Sequence, residues 1–230
     1  MNKFIFDVDG TLTPSRQHID KDFKKFFLDF CGSNDVFLVT GSDYAKTLEQ
    51  LGEEICHKVK VIYNCSGNDV WSLGVNLYSK EWKVPQELDS LFNGWLQASS
   101  FPLRTGNHIE HRPGCANFSI VGRNADWDQR ARYAEWEQHH HGRQLVSLAF
   151  NEMFDDAVAQ VAGETSIDIF PQGCDKSQVL KHYTDTRTIF FGDNCYPGGN
   201  DYSAAQASTH FHQIDRGYQQ TWEILKKRYI

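Results

Sequence analysis

A chain of 230 residues with 40% hydrophobic and 13% aromatic residues has the apolar content for one large domain or two small ones, which excludes a disordered chain. Its net charge of −7 supplies no global basic field for nucleic acid or an anionic membrane, so any phosphate site must concentrate positive charge locally. No apolar run approaches the roughly 18–20 residues that span a bilayer; with six scattered cysteines, no Cys-x-x-Cys pair and no signal peptide, we expect reduced thiols in a soluble cytoplasmic protein.

The first predicted element is Phe4 to Phe6, an apolar run of strand formers that ends in Asp7 and Asp9 and turns at Gly10. At a strand end, side chains two apart point the same way, so Asp7 and Asp9 can converge on one site. Two carboxylates there suit a hard cation such as Mg²⁺, and a carboxylate can also accept a phosphoryl group as an aspartyl-phosphate. The loop from Thr11 to Gln17 holds Pro14 and Arg16 and reads as a structured connection. Asp20 begins an amphipathic helix whose Phe23, Phe26, Phe27 and Phe30 form a core stripe, closed by Gly32. Val36 to Thr40 reads as a buried parallel strand, and Gly41 to Asp43 caps a helix through about Leu51. Val59 to Tyr63 is a third strand, followed by a turn at Asn64 to Gly67. This alternation predicts a doubly wound α/β sheet.

From about Trp71 to Phe170 the pattern changes. Helices are expected over Pro85 to Gln97 and Asp126 to Gln138, with strands over Asn117 to Val121, Leu145 to Phe150 and Thr165 to Phe170. Such a mixed block reads as an inserted α+β domain. The run His139 to His141 reads as a solvated patch favourable at a helix C-terminus, and no metal is assigned to it. Past Phe170 the α/β pattern returns. Asp175 and Lys176 begin a helix to Tyr183, and a buried strand from Thr188 to Phe191 ends in Gly192 and Asp193. A glycine-rich loop, Pro197 to Asp201, leads to a short helix at Ala204 to Ala207 and a strand at Thr209 to Ile214. A closing helix carries Trp222, Leu225 and Tyr229 inward. The expected organisation is core over 1–78, insert over 79–171 and core again over 172–230.

Four pieces of the predicted core fall at strand or helix ends, where ligands gather in open α/β sheets. They are Asp7 with Asp9, the hydroxyls of Thr40 and Ser42, the cation of Lys176, and Asp193. Together they offer a nucleophile, a metal site and charge neutralisation for phosphoryl transfer. Their order matches the motifs of the haloacid dehalogenase (HAD) superfamily. More narrowly, the strings DVDGTLTPSRQ, RPGCANFSIVGRNADWDQR, SIDIFPQGCDK and FFGDNCYPGGND resemble the eukaryotic-type phosphomannomutase family. They are spread over nearly the whole chain in that family's order.

The resemblance implies a HAD-like, doubly wound, Rossmann-like parallel-sheet core with the insert as an α+β cap. It implies interconversion of mannose 6-phosphate and mannose 1-phosphate, started by a hexose 1,6-bisphosphate activator. Asp7 would be the nucleophile, Asp9 the general acid and base, and Mg²⁺ would be held by Asp7, Asp9 (through its backbone carbonyl) and Asp193. Thr40, Ser42 and Lys176 would surround the transferring phosphoryl. Arg112, Arg123 and Arg130 match the family's phosphate-binding arginines, Ser166 and Asp168 its sugar contacts, and Arg16 another substrate residue. Asn117 is a further polar contact. A homodimer through the cap is expected by resemblance, with no nucleic-acid or membrane partner. A sugar-phosphate phosphatase using the same Asp7, and a non-catalytic phosphosugar-binding protein, are the alternatives. The chain departs from the family at Asn194, where a lysine is usual, and over Tyr202 to Ala207, which lacks the acid of a second cation loop. Around Val70 to Tyr78 the resemblance is slight.

Overall fold

The computed structural model describes residues 2–82 and 87–230. They fall into two compact units, Met1–Lys80 with Gly173–Ile230, and Glu81–Gln172. The first is built on a seven-stranded sheet, and β1 (Lys3–Phe6) is the middle one of its five parallel strands. On one side of β1 lie β2 (Asp35–Val39) and β3 (Val61–Asn64), and on the other β10 (Thr188–Gly192) and β11 (His210–Gln213), all parallel. Phe4, Ile5 and Phe6 are buried on both faces, as a continuous apolar run in a central parallel strand requires. Register then places the site. Phe6 pairs with Leu38 on one side and Phe191 on the other, so the strands end level and the residues after them meet at one edge.

Helices cover this sheet because their apolar stripes need burial. In α1 (Lys21–Ser33) the Asp20 carboxylate accepts the amides of Asp22 and Phe23, and Phe23, Phe27 and Phe30 pack inward. The ring of Phe27 meets that of Phe6 edge-on at 5.3 Å between centroids. Asp43 caps α2 (Tyr44–Leu51), which is followed by a short α3 (Glu53–Lys58) not among the expected elements. The parallel pattern stops after β3. A hairpin of β4 (Asp69–Ser72) and β5 (Val75–Ser79) extends the sheet antiparallel, with an irregular register between Val70 and Trp71. The chain from Lys176 to Tyr183 is a 3₁₀ helix, and α7 (Tyr202–Ala207) and α8 (Tyr218–Arg228) complete this unit.

The second unit is a four-stranded antiparallel sheet in the order β6 (Ile109–Arg112), β7 (Cys115–Phe118), β9 (Ser166–Pro171) and β8 (Ala157–Ala162). Its helices are α4 (Glu87–Ala98), α5 (Trp127–His140) and α6 (Gly142–Met153). The helix expected from Pro85 corresponds to α4, and its predicted start lies outside the described residues. Asp126 and Gln129 close a reciprocal capping box on α5. One expectation is overturned: Leu145 to Phe150 is not a strand but the middle of α6. Burial there follows a helical period, with Ser147 and Phe150 inside and Leu145 and Leu148 outside. The strand predicted over Asn117 to Val121 ends at Phe118, and β8 was not anticipated. His141 sits left-handed at φ 50° between α5 and α6, while the His140 ring stacks on Trp136, so the histidine run is the helix end that was expected.

All six cysteines are buried thiols. Among the described residues no helix is long and apolar enough to cross a membrane.

Candidate active site

The level strand ends deliver Asp7, Thr40 and Asp193 to one edge of the first unit's sheet. The Asp7 amide donates to the Phe191 carbonyl at 2.8 Å, which extends the β1–β10 ladder by one bond and fixes the aspartate. The chain then doubles back. The Val8 carbonyl accepts the amides of Leu12 and Thr13, and Gly10 takes a φ of 75°. A β-carbon at Gly10 would lie 2.3 Å from Asp193 Oδ2, so glycine serves here both for the turn and for the close approach of the second aspartate.

Lys176 Nζ donates to Asp7 Oδ1 at 2.6 Å and to Asp201 Oδ1 at 2.6 Å, with its side chain 1% exposed. Asp7, Asp193 and Asp201 each place a carboxylate oxygen within 4.8 Å of the others. One ammonium cannot balance three carboxylates, two of them buried and the third, Asp193, half-buried. Burial is the largest influence on Asp7; Lys176 opposes it, Asp201 adds to it, and the carboxyl is pushed up to about 8. Burial, then the charges of Asp7 and Asp201, push Asp193 up to about 9. Burial works against the charged form of Lys176, but Asp201 and Asp7 outweigh it and raise its pKa. A set of hard oxygen donors with surplus negative charge fits a divalent cation such as Mg²⁺.

Asp9 lies elsewhere in the site. Its Oδ1 accepts the Arg16 amide at 2.7 Å and the Gln50 side-chain amide at 2.9 Å, so its carboxylate is not one of the three clustered acids. The third acid of the cluster is Asp201, while the expected Asp9 ligand is its backbone carbonyl. Asp201 was read from sequence only as the end of a glycine-rich loop, and Gln50 was read only as a helix residue. Thr40 and Ser42 do come together: the Ser42 amide donates to Thr40 Oγ1 at 3.1 Å, and their carbonyls accept the amides of Ser66 and Cys65. Asn194, the departure from the family's lysine, donates its side-chain amide to Asp193 Oδ1 at 2.7 Å and accepts the Tyr196 hydroxyl at 2.9 Å.

The second unit carries its own polar cluster. Glu110, Asn117 and Asp168 are cross-strand neighbours on β6, β7 and β9 and form a row on one face. Asn117 Nδ2 donates to Asp168 Oδ1 at 2.6 Å, and Arg112 Nη1 lies 3.9 Å from the same oxygen. Arg123 Nη1 donates to Ser166 Oγ at 3.1 Å. Glu110 accepts from Arg112 Nε at 2.9 Å and from Arg123 Nε at 2.5 Å. Burial pushes its carboxyl up, but the bonds and charges of Arg112 and Arg123 prevail and hold it at about 2. Thus Arg112, Asn117, Arg123, Ser166 and Asp168 are brought together. Arg130 bonds the neighbouring residues: its Nη1 donates to Thr165 Oγ1 at 3.0 Å and its Nη2 to Glu164 at 3.1 Å, at the turn before β9. Glu110 escaped the sequence reading, although its place two residues before Arg112 on a strand was a usable signal.

Sequence comparison with known proteins points to one family. A family model described as eukaryotic phosphomannomutase matches residues 23–228. A phosphomannomutase of Dendrobium officinale is 32% identical over 207 residues, covering 86% of this chain and 82% of that protein. One from Saccharomyces cerevisiae is 32% identical over 209 residues, with the same two shares. Among solved structures, the IMP-nucleotidase of Plasmodium falciparum in N-terminally truncated form superposes with a TM-score of 0.65 at 14% identity, covering 98% of this chain and 69% of that one. A haloacid dehalogenase-like hydrolase from Bacteroides thetaiotaomicron gives 0.55 at 14% identity, covering 97% and 99%. These two likenesses show the HAD-like α/β fold.

Proposed function

The chain belongs to the eukaryotic phosphomannomutase family, and we propose that it interconverts mannose 6-phosphate and mannose 1-phosphate through a phosphorylated Asp7 and a hexose 1,6-bisphosphate. The observation that carries this reading is the buried Asp7 carboxylate, fixed by Lys176 beside Asp193. Asp7 and Asp193, with the backbone carbonyl of Asp9, would hold Mg²⁺. Bound there, the ion would neutralise the surplus carboxylate charge and the charge on the phosphoryl oxygens.

The chain's own groups supply the remaining steps. An Asp7 oxygen attacks phosphorus of the activating bisphosphate, and the bond from phosphorus to the sugar oxygen breaks. Asp9 protonates that departing oxygen. Its Oδ1 already accepts two amides, so Oδ2 carries the proton. A hydroxyl of the incoming mannose phosphate then gives its proton to Asp9 and attacks the aspartyl-phosphate, which frees the Asp7 carboxylate. Lys176, Thr40 and Ser42 offset charge on the transferring group. Arg112 and Arg123 hold the phosphate that is not reacting, while Ser166, Asp168 and Asn117 read the hexose. Arg16 is a further substrate contact in this reading.

Hydrolysis is the second reading. Arg130 bonds Thr165 and Glu164 and does not share the Glu110 that joins Arg112 and Arg123. A weaker second phosphate site would favour release of inorganic phosphate. The intermediate itself is open to test. Rapid acid quench of the chain with Mg²⁺ and glucose 1,6-bisphosphate should yield a peptide spanning Asp7 that is one phosphoryl group heavier, absent from Asp7→Asn. Phosphate on any other residue, or none while turnover proceeds, would overturn the assignment.

A further inference from the structure

We propose that Glu110 is a positioning residue that aims Arg112 and Arg123 at a phosphate, a role that rests on the mutase reading above. Glu110 lies on β6 two residues before Arg112, on the same face of the strand. It divides its carboxylate between the two arginines, Oε1 to Arg112 Nε at 2.9 Å and Oε2 to Arg123 Nε at 2.5 Å. Both guanidiniums are thus gripped by the nitrogen nearest the stem. Their Nη groups, the fork that matches phosphate oxygens, reach β9: Arg123 Nη1 bonds Ser166, and Arg112 Nη1 approaches Asp168.

Two considerations make aim more important than charge. Arg123 follows β7 outside any regular element, so its long side chain depends on a partner for a single rotamer. The charges also cancel. Two arginines with Glu110 and Asp168 sum to zero, so affinity for a phosphate dianion must come from directed bonds and not from a net field.

This separates the two explanations experimentally. Glu110→Gln keeps the size and raises the net charge by one, so a field effect predicts tighter binding and an aiming effect predicts weaker binding. Glu110→Asp keeps the charge but is too short to span both arginines. In the full chain carrying Asp7→Asn to prevent turnover, calorimetry with mannose 1-phosphate should show both variants binding roughly tenfold or more weakly. Arginine Nε–H resonances of Arg112 and Arg123 should exchange slowly in the parent chain, and each variant should lose at least one. Binding as tight as the parent, or both resonances kept, would overturn the proposal. If the parent chain itself binds no mannose 1-phosphate, the mutase reading fails, and the resonances still decide whether Glu110 holds the arginines.

Discussion

At the scale of single residues, Lys176 is the side chain on which the first unit's site depends. It is buried between Asp7 and Asp201, each 2.6 Å away. Removing one partner of a buried ion pair leaves an uncompensated charge and costs about 3–5 kcal/mol. Lys176→Met should therefore lower stability by that amount at neutral pH, read from the urea midpoint, and should abolish phosphoryl transfer. A midpoint within experimental error of the parent would refute the ion-pair account. Asp7, Lys176 and Asp193 were legible in the sequence because each sits directly at the end of an apolar run or the start of a helix. Asp201 and Gln50 were not, because their roles exist only through partners distant in sequence. Asp201 meets Lys176 25 residues away, and Gln50 meets Asp9 41 residues away. Local pattern carries no trace of such pairings.

At the scale of elements, β1 was plain because burial on both faces writes a continuous apolar run. The segment Leu145 to Phe150 misled because a short apolar run fits strand and helix alike, and only tertiary packing shows that Leu145 and Leu148 face out. β8 was missed for the opposite reason: Ala157 to Ala162 is rich in alanine, a weak strand former. Sheet edges also carry a testable consequence. On β11, His212 is buried with its Nε2 2.8 Å from the Tyr229 hydroxyl. Burial first, then His210 and Arg228, hold its pKa at about 4, below the ordinary 6.5. The unfolded chain binds the proton more readily, so this histidine's contribution is complete above pH 6.5 and is lost as pH falls toward 4. The urea midpoint should drop across that window, and His212→Gln should flatten the drop. An unchanged slope in the variant would contradict the assignment.

At the scale of the whole molecule, an acidic chain was expected to gather its positive charge locally, but neither cluster is net positive: Lys176 faces Asp7, Asp193 and Asp201, and Arg112 and Arg123 are matched by Glu110 and Asp168. Lys176 serves the carboxylate cluster of the first, and Arg112 and Arg123 serve the polar face of the second. In the mutase proposed above, one phosphate is transferred while another is held. A hydrolase of monophosphates needs only the first cluster. The most direct measurement is therefore the partition of products. With Mg²⁺ and mannose 1-phosphate, in the presence and absence of catalytic glucose 1,6-bisphosphate, mannose 6-phosphate and inorganic phosphate are quantified together, with Asp7→Asn as the blank. The account predicts activator-dependent mannose 6-phosphate with little free phosphate. Inorganic phosphate alone, released at the same rate without the activator, would contradict it.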